Sequence, residues 1–306
     1  MDEAAFIAAL RGLAADPAAR GLMDDAAVLA VGGETLVLTH DMLAEGVHYL
    51  PDDPPGEVAW KLVAVTLSDL AAKGARPLGA LLGFTLGDDE WDRLFVDGLG
   101  QALAAFGLPL LGGDTISGPN RVLGLTAIGK ATGPVPARSG AQAGEALWVS
   151  GTIGDAGAGL MALRSGAAWP ELIERYRLPR PRLEAGERLA ALVSAMMDVS
   201  DGLLLDAKRM AAASECLLTI ELDAVPLSEA YLDAQGEARL QAATAGDDYE
   251  LLFAASAEAA PAILGLAEEI GLPFSRIGRF ETGAGLALTE RGLPVPLPPS
   301  LGFEHG

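Results

Sequence analysis

The chain is poor in the side chains that build most redox and zinc sites. One cysteine and three histidines in 306 residues exclude an internal disulfide and any cysteine-cluster metal centre. Cys216, in "ECLLTIEL", reads as a small core residue on a strand. Basic residues are scarce as well: 21 Lys and Arg stand against 42 Asp and Glu, a formal net charge of −21. Sequence-independent binding to nucleic acid or to an anionic membrane needs a field of the opposite sign, so both are excluded as partners. No apolar run approaches the roughly 20 residues of a membrane helix. The opening "MDEAAFIAALRGLAA" carries acids where a secretory signal is basic, and its Phe6, Ile7, Leu10 and Leu13 suit an amphipathic helix. A cytoplasmic protein is expected.

Common nucleotide motifs are missing too. "GLTAIGKA" (Gly124 to Ala131) nearly spells a P-loop, but Ala131 stands where Ser or Thr is needed, and the segment reads as a strand. No dinucleotide fingerprint follows a strand, and no H-E-x-x-H occurs. The glycine-rich turn "SGTIGDAGAGLMAL" (Ser150 to Leu163) follows a strand and opens a helix, which suits either an anion cradle or tight packing.

What the chain does have is globular αβ material, 50% hydrophobic with only 5% aromatic residues. Strands are expected in "ETLVLTHD", "LGALLGFTLG", "RVLGLTAIGKATG", "EALWVSG", "LLTIEL" and "YELLFAAS". Helices are expected over Val58 to Lys73, Glu90 to Phe106, Gly157 to Arg164, Arg182 to Met197, Leu203 to Ala213 and Ala257 to Ile270. The Pro- and Gly-rich stretch Gly133 to Glu145 divides the chain into residues 1–136 and 137–306, two mixed αβ domains of the α+β class. A weak echo links them: "VTLSDLAAKGA" and "MDVSDGLLLDAKRMAAAS" each run through Ser-Asp into an Ala-rich helix, which places a carboxylate at a helix start.

Acids recur at the ends of apolar runs beside small residues: Asp24 and Asp25, Asp41, Asp69, Asp114, Asp198 and Asp201, Asp247 and Asp248. Any single Asp–Gly pair is best read as a turn or a cap. Together, in both halves, they suggest oxygen ligands for Mg²⁺, with polyphosphate oxygens completing the shell. "VLTHDMLAEGVHYLPDDPP" first suggests zinc through His40 and His48, but zinc prefers a compact His and Cys set that this chain lacks.

Eight collinear blocks then resemble the thiamine-monophosphate kinase family, whose fold is that of aminoimidazole-ribotide synthetase (PurM-like). They are "DDAAVL", "LTHDMLAEGVHYLPDDPP", "VAWKLVAVTLSDLAAKGARP", "LLGGDTISGP", "ARSGAQAGEALWVSGTIGDAGAGL", "RPRLEAGERL", "MMDVSDGLLLDAKRMAAAS" and "AGDDYELLF". The resemblance implies ATP- and Mg²⁺-dependent phosphoryl transfer onto thiamine monophosphate, giving thiamine diphosphate, by a homodimer that pairs its N-terminal sheets. It implies metal contacts from Asp25, Thr39, His40, Asp41, Asp69, Asp114, Asp198 and Asp201, with several Mg²⁺ ions. Asp41, Asp69 and Asp198 would act electrostatically through the metal, and no acid or base is implied. It further implies nucleotide contacts from Gly113, Asp114, Arg138 and Ser200, and substrate contacts from His48, Asp247 and Phe303.

The chain departs from the family pattern in three places. His40 replaces a Thr, Asp247 replaces a Glu, and the block around Phe303 matches poorly. Another ATP-using enzyme of the same fold is the alternative within the class: the ribotide synthetase itself, selenophosphate synthetase or the hydrogenase-maturation dehydratase. The second is expected to carry a reactive Cys or selenocysteine near its N-terminus and the third a C-terminal Cys, neither of which is present in this chain. A non-catalytic nucleotide or thiamine-phosphate sensor is the alternative of a different class, and a third reading treats the acids as solvated turns.

Overall fold

The computed structural model describes residues 3–304. The N-terminal half begins with α1 (Glu3–Arg11), then β1 (Ala27–Val31), β2 (Glu34–Ala44), α2 (Pro55–Ala72), β3 (Ala75–Leu86), α3 (Asp89–Ala105), β4 (Leu110–Ser117) and β5 (Val122–Ala131). The C-terminal half follows with β6 (Ala146–Ser150), α4 (Asp155–Ser165), α5 (Pro170–Arg177), α6 (Leu183–Leu189), β7 (Ala195–Asp198), α7 (Leu203–Ala213) and β8 (Leu217–Glu221). It ends with α8 (Glu229–Gln235), α9 (Arg239–Thr244), β9 (Leu251–Ala255), α10 (Ala260–Ile270), β10 (Phe274–Glu281), β11 (Gly285–Glu290) and β12 (Leu293–Val295).

The strands form two mixed sheets, as two αβ domains require. The first is five-stranded in the order β1-β2-β5-β3-β4, antiparallel except for the parallel β3/β4 pair at one edge. The second is seven-stranded in the order β12-β11-β8-β10-β6-β9-β7, with β8 and β11 parallel. "GLTAIGKA" lies inside β5, paired with both β2 and β3, so it is a central strand and no phosphate loop.

Helix α2 lies between the two halves. Proline at its first turn and Gly74 at φ +60° just beyond its end bound it as helix chemistry dictates. Its sequence is apolar on nearly every face, which marks a helix with no solvent side. Val58, Ala59, Leu62, Val63, Leu67 and Leu70 are buried against the first sheet and α3, while Ala71 and Ala72 join the core around Trp148, Leu189 and Phe253. Two glycines make its close crossings possible. A Cβ on Gly98 of α3 would lie 2.2 Å from Gly56 Cα, and one on Gly186 of α6 would lie 1.9 Å from the Ala71 carbonyl oxygen.

Three local expectations change. Arg182 to Met197 is not one helix: α6 stops at Leu189, and Ala195–Asp198 is β7, an edge strand paired with β9. Asp69 does not open a helix but lies in the last turn of α2, so the echo with Asp198 is one of position around the site and not of secondary structure. Strands β4 and β10 fall where glycines and charges obscured the alternation.

Candidate active site

Four segments from both halves bring carboxylates together. Asp25 precedes β1, Asp41 lies on β2, Asp69 is on α2 and Asp198 ends β7. Carboxylate oxygens of Asp25, Asp69 and Asp198 lie within 4.8 Å of one another. Strand alternation turns Thr39 and Asp41 to the same face as buried Val37 and Leu43. The Thr39 hydroxyl donates to the Asp69 carboxylate, and the Ser68 hydroxyl donates to Asp198 Oδ2 at 2.6 Å. Opposing charge comes from one side only. Lys73, fully buried, lies 2.5 Å from Asp24 Oδ1 and 2.7 Å from Asp25 Oδ2. Arg138 reaches Asp25 Oδ1 at 2.5 Å.

That asymmetry divides the carboxylates. Burial alone would raise Asp25, but Lys73 and Arg138 outweigh it and hold the group below its ordinary value. Burial pushes Asp198 up to about 8, with the Asp25 charge adding to it and the Ser68 hydroxyl opposing. Asp69 is raised well above the carboxylate range by burial and by Asp41, Asp198 and Asp25 around it. Asp41 rises to about 6, chiefly from burial, and its Oδ2 is buried without a hydrogen-bond partner. A compact, oxygen-only donor set with one orphaned oxygen fits a hard divalent cation bound with water or phosphate oxygens.

The cluster opens onto a cavity of about 840 Å³. Asp41, Asp69, Asp198, Ser200 and Asp201 line it, together with His48, Asp247 and Phe303. His48 sits in the turn after β2, where its Nδ1 accepts the Ala44 N–H at 3.1 Å. Phe303, the weakest match in sequence, is brought back by its own N–H, which donates to the Asp201 carbonyl at 2.8 Å. Val47, Met161, Tyr231 and Tyr249 add an apolar and aromatic part to the same lining, suited to a flat ring.

Other expected residues stand apart. The His40 ring points to the opposite face of β2, with Nδ1 2.9 Å from the Thr126 hydroxyl, so the imidazole does not join the carboxylates. Gly113 and Asp114 are exposed on edge strand β4, outside both the three-carboxylate group and the cavity lining among the described residues. A Cβ on Gly113 would lie 2.0 Å from the Leu82 carbonyl oxygen, which accounts for that glycine by strand packing. Asp201 lines the cavity but pairs with Arg209, which also reaches Asp206 Oδ1 at 2.9 Å. The glycine-rich turn is already filled by the chain itself: the Gly154 N–H donates to both oxygens of Asp248, at 2.9 and 3.0 Å. Lys61 and Lys73, both on or just after α2, are the site residues that sequence reasoning missed. The available signal was a lysine within a helix that is apolar all round, where a charged side chain must find its partner inside.

Comparison with known proteins identifies relatives of the chain along most of its length. Residues 23–131 match the family model for AIR synthase related protein, N-terminal domain, and residues 142–290 match the C-terminal domain. The thiamine-monophosphate kinase of Caulobacter vibrioides is 41% identical over 311 residues, covering 95% of this chain and 86% of the relative. The crystal structure of thiamine-monophosphate kinase from Stenotrophomonas maltophilia superposes with a TM-score of 0.80 at 39% identity, covering 94% of this chain and 95% of that one. A solved structure of AaThiL complexed with AMPPCP and TMP gives a TM-score of 0.87 at 28% identity, covering 100% and 97%. The chain therefore belongs to the AIR synthase related proteins and, among them, to the thiamine-monophosphate kinase family.

Proposed function

We propose that this chain transfers the γ-phosphoryl group of ATP directly onto the phosphate of thiamine monophosphate, giving thiamine diphosphate, with Mg²⁺ held by Asp25, Asp41, Asp69 and Asp198. The observation that carries the reading is the buried carboxylate cluster opening onto one cavity that His48, Asp247 and Phe303 also line. Bound Mg²⁺ would offset the charge of the polyphosphate and of the acceptor phosphate as the two approach. The remaining roles belong to the chain. Thr39 and Ser68 fix the orientation of Asp69 and Asp198, while Lys73 and Arg138 keep Asp25 ionised. The acceptor is a phosphate oxygen already ionised near neutral pH, so no general base is needed. His48 and Asp247 contact the thiamine part, and Phe303 closes over it. Ser200 and Arg138 would contact the nucleotide, and Asp201, paired with Arg209 here, would hold a further Mg²⁺.

We place the domain boundary between residues 136 and 137. A homodimer built on the first sheet is supported by its exposed apolar residues: Met42 on β2, Leu81 on β3, and Leu110, Leu111 and Ile116 on β4. Such pairing would cover Gly113 and Asp114. The alternative, a sensor without turnover, is disfavoured because the carboxylates implied for metal binding at Asp25, Asp69 and Asp198 do converge. Incubation with ATP, Mg²⁺ and thiamine monophosphate should yield thiamine diphosphate, resolved chromatographically. Tight ATP binding with no diphosphate formed would overturn the kinase reading in favour of the sensor.

A further inference from the structure

Lys61 is a charged side chain with only 2% of its side-chain surface exposed, set on α2 away from the carboxylate cluster. Burying an ammonium is costly unless it is fully partnered, and its partners are specific. Nζ donates to Asp247 Oδ2 at 2.9 Å and to the His48 carbonyl oxygen at 3.0 Å. It also lies 3.9 Å from the centroid of the Tyr176 ring on α5. One cation thus touches both residues read as substrate contacts, His48 and Asp247, from opposite halves of the chain.

The Asp247 loop has the marks of a constrained element. Asp247 has φ +72° and Tyr249 has φ +50°, left-handed values at two non-glycine residues. Such conformations persist where the surroundings over-determine them and cluster at ligand-binding positions. The second Asp247 oxygen accepts from the Tyr249 hydroxyl at 3.1 Å, so both oxygens are tethered while the side chain keeps 29% exposure at the cavity. A shorter acid held this tightly has little freedom to search for its ligand, and its position is set by what tethers it. Lys61 and Asp69 share one rigid helix, eight residues and about 12 Å apart along its axis. The same helix therefore sets where the acceptor's organic part is gripped relative to where its phosphate must meet the metal-binding carboxylates.

We propose that Lys61 is a positioning residue for the acceptor substrate: it holds the Asp247 carboxylate and the His48 turn in register with Asp69, and so selects an amine- or cation-bearing ring of the right length. The proposal rests on the reading of Asp247 and His48 as substrate-side residues. The competing account is a plain structural pin between the halves, which would affect stability without choosing between substrates.

The test is steady-state kinetics on full-length Lys61→Met, which keeps the length and removes the charge, beside Asp247→Asn and the double variant. Expected is a rise of about tenfold or more in KM for thiamine monophosphate with KM for ATP within about twofold of wild type. In the Asp247→Asn background, Lys61→Met should add less than about threefold, because the two act through one contact. If Asp247→Asn raises that KM but Lys61→Met does not, the proposal fails and the substrate-side reading stands. If Asp247→Asn leaves it unchanged, the underlying reading fails and takes the proposal with it. A Lys61→Met enzyme in which both KM values and kcat shift together with a lowered melting temperature identifies a structural pin and overturns the proposal. Should Lys61→Met not fold, Lys61→Gln, which retains a donor for the His48 carbonyl, is judged by the same criteria.

Discussion

Replacing Asp198 by Asn should destroy activity and, in the metal-free protein, increase stability. Asp198 is buried at the end of β7 and rises from an ordinary 3.8 to about 8 in the fold. Between those values the folded state keeps a proton that the unfolded chain has lost, so unfolding releases it and stability falls as pH rises. A shift of about four pH units at about 1.4 kcal/mol each sets a ceiling near 6 kcal/mol at alkaline pH. Asp41 and Asp69 are raised in the same cluster and titrate together with Asp198. The single substitution should therefore recover only part of the total, about 1–3 kcal/mol near pH 8 and almost nothing near pH 4. For a chain of this size that corresponds to a few degrees in Tm, about 2 °C per kcal/mol. Thermal unfolding in EDTA from pH 4 to 9 is the assay. Wild type should lose stability through this window and the Asp198→Asn variant should lose less, while Mg²⁺ added to wild type should flatten the slope, because a divalent cation takes the place of the protons. A wild-type Tm that climbs from pH 5 to 8 in EDTA, or an Asp198→Asn curve parallel to wild type, would refute the electrostatic account of the cluster.

Two other perturbations probe the frame around the site. Gly186→Ala forces a methyl toward the Ala71 carbonyl oxygen, 1.9 Å from its ideal Cβ position, so α6 must shift off α2. A loss of about 1–3 kcal/mol in urea unfolding is expected, with reduced turnover because Asp69 and Lys73 flank the displaced turn; an unchanged midpoint would contradict the packing argument. Ile116→Lys adds a charge at a position 60% exposed on β4. Light scattering should find a dimer for wild type and a monomer for the variant, and the same mass for both would remove β4 from the interface.

Much of the cluster was legible because a carboxylate ending an apolar run is conspicuous, and Asp25, Asp41 and Asp198 all have that form. Asp69 was found for the same reason, although it lies inside a helix, where the apolar run continues past it. The lysines were not legible in that way. A lysine on a helix is ordinarily a surface residue whose stem snorkels outward, and only the burial of every face of α2 makes Lys61 and Lys73 internal. The overextended helix at Arg182 to Met197 has a similar cause: "LAALVSAMMD" has helix-forming composition, but pairing with β9 overrides local preference in β7. Edge strand β4 was hidden by Gly112 and Gly113, whose missing side chains erase the alternation on which strand reading depends. The reach of Phe303 was beyond sequence because it depends on where this segment is tied, through the backbone hydrogen bond to Asp201 and the packing of Leu301 on the core.

Helix α2 also limits how this chain can vary in length. Four inward-facing polar side chains on it and just past its end, Lys61, Ser68, Asp69 and Lys73, each meet a named partner on another segment. One residue inserted between Lys61 and Asp69 would turn everything beyond it by about 100°, separating Ser68 from Asp198 and Lys73 from Asp24 in a single step. Loops such as the one following α4 have no comparable constraint. Among homologous chains, insertions and deletions should therefore be absent from 61–73 even where the amino acids differ, and a variant that lengthens this helix should lose the carboxylate site while keeping both sheets.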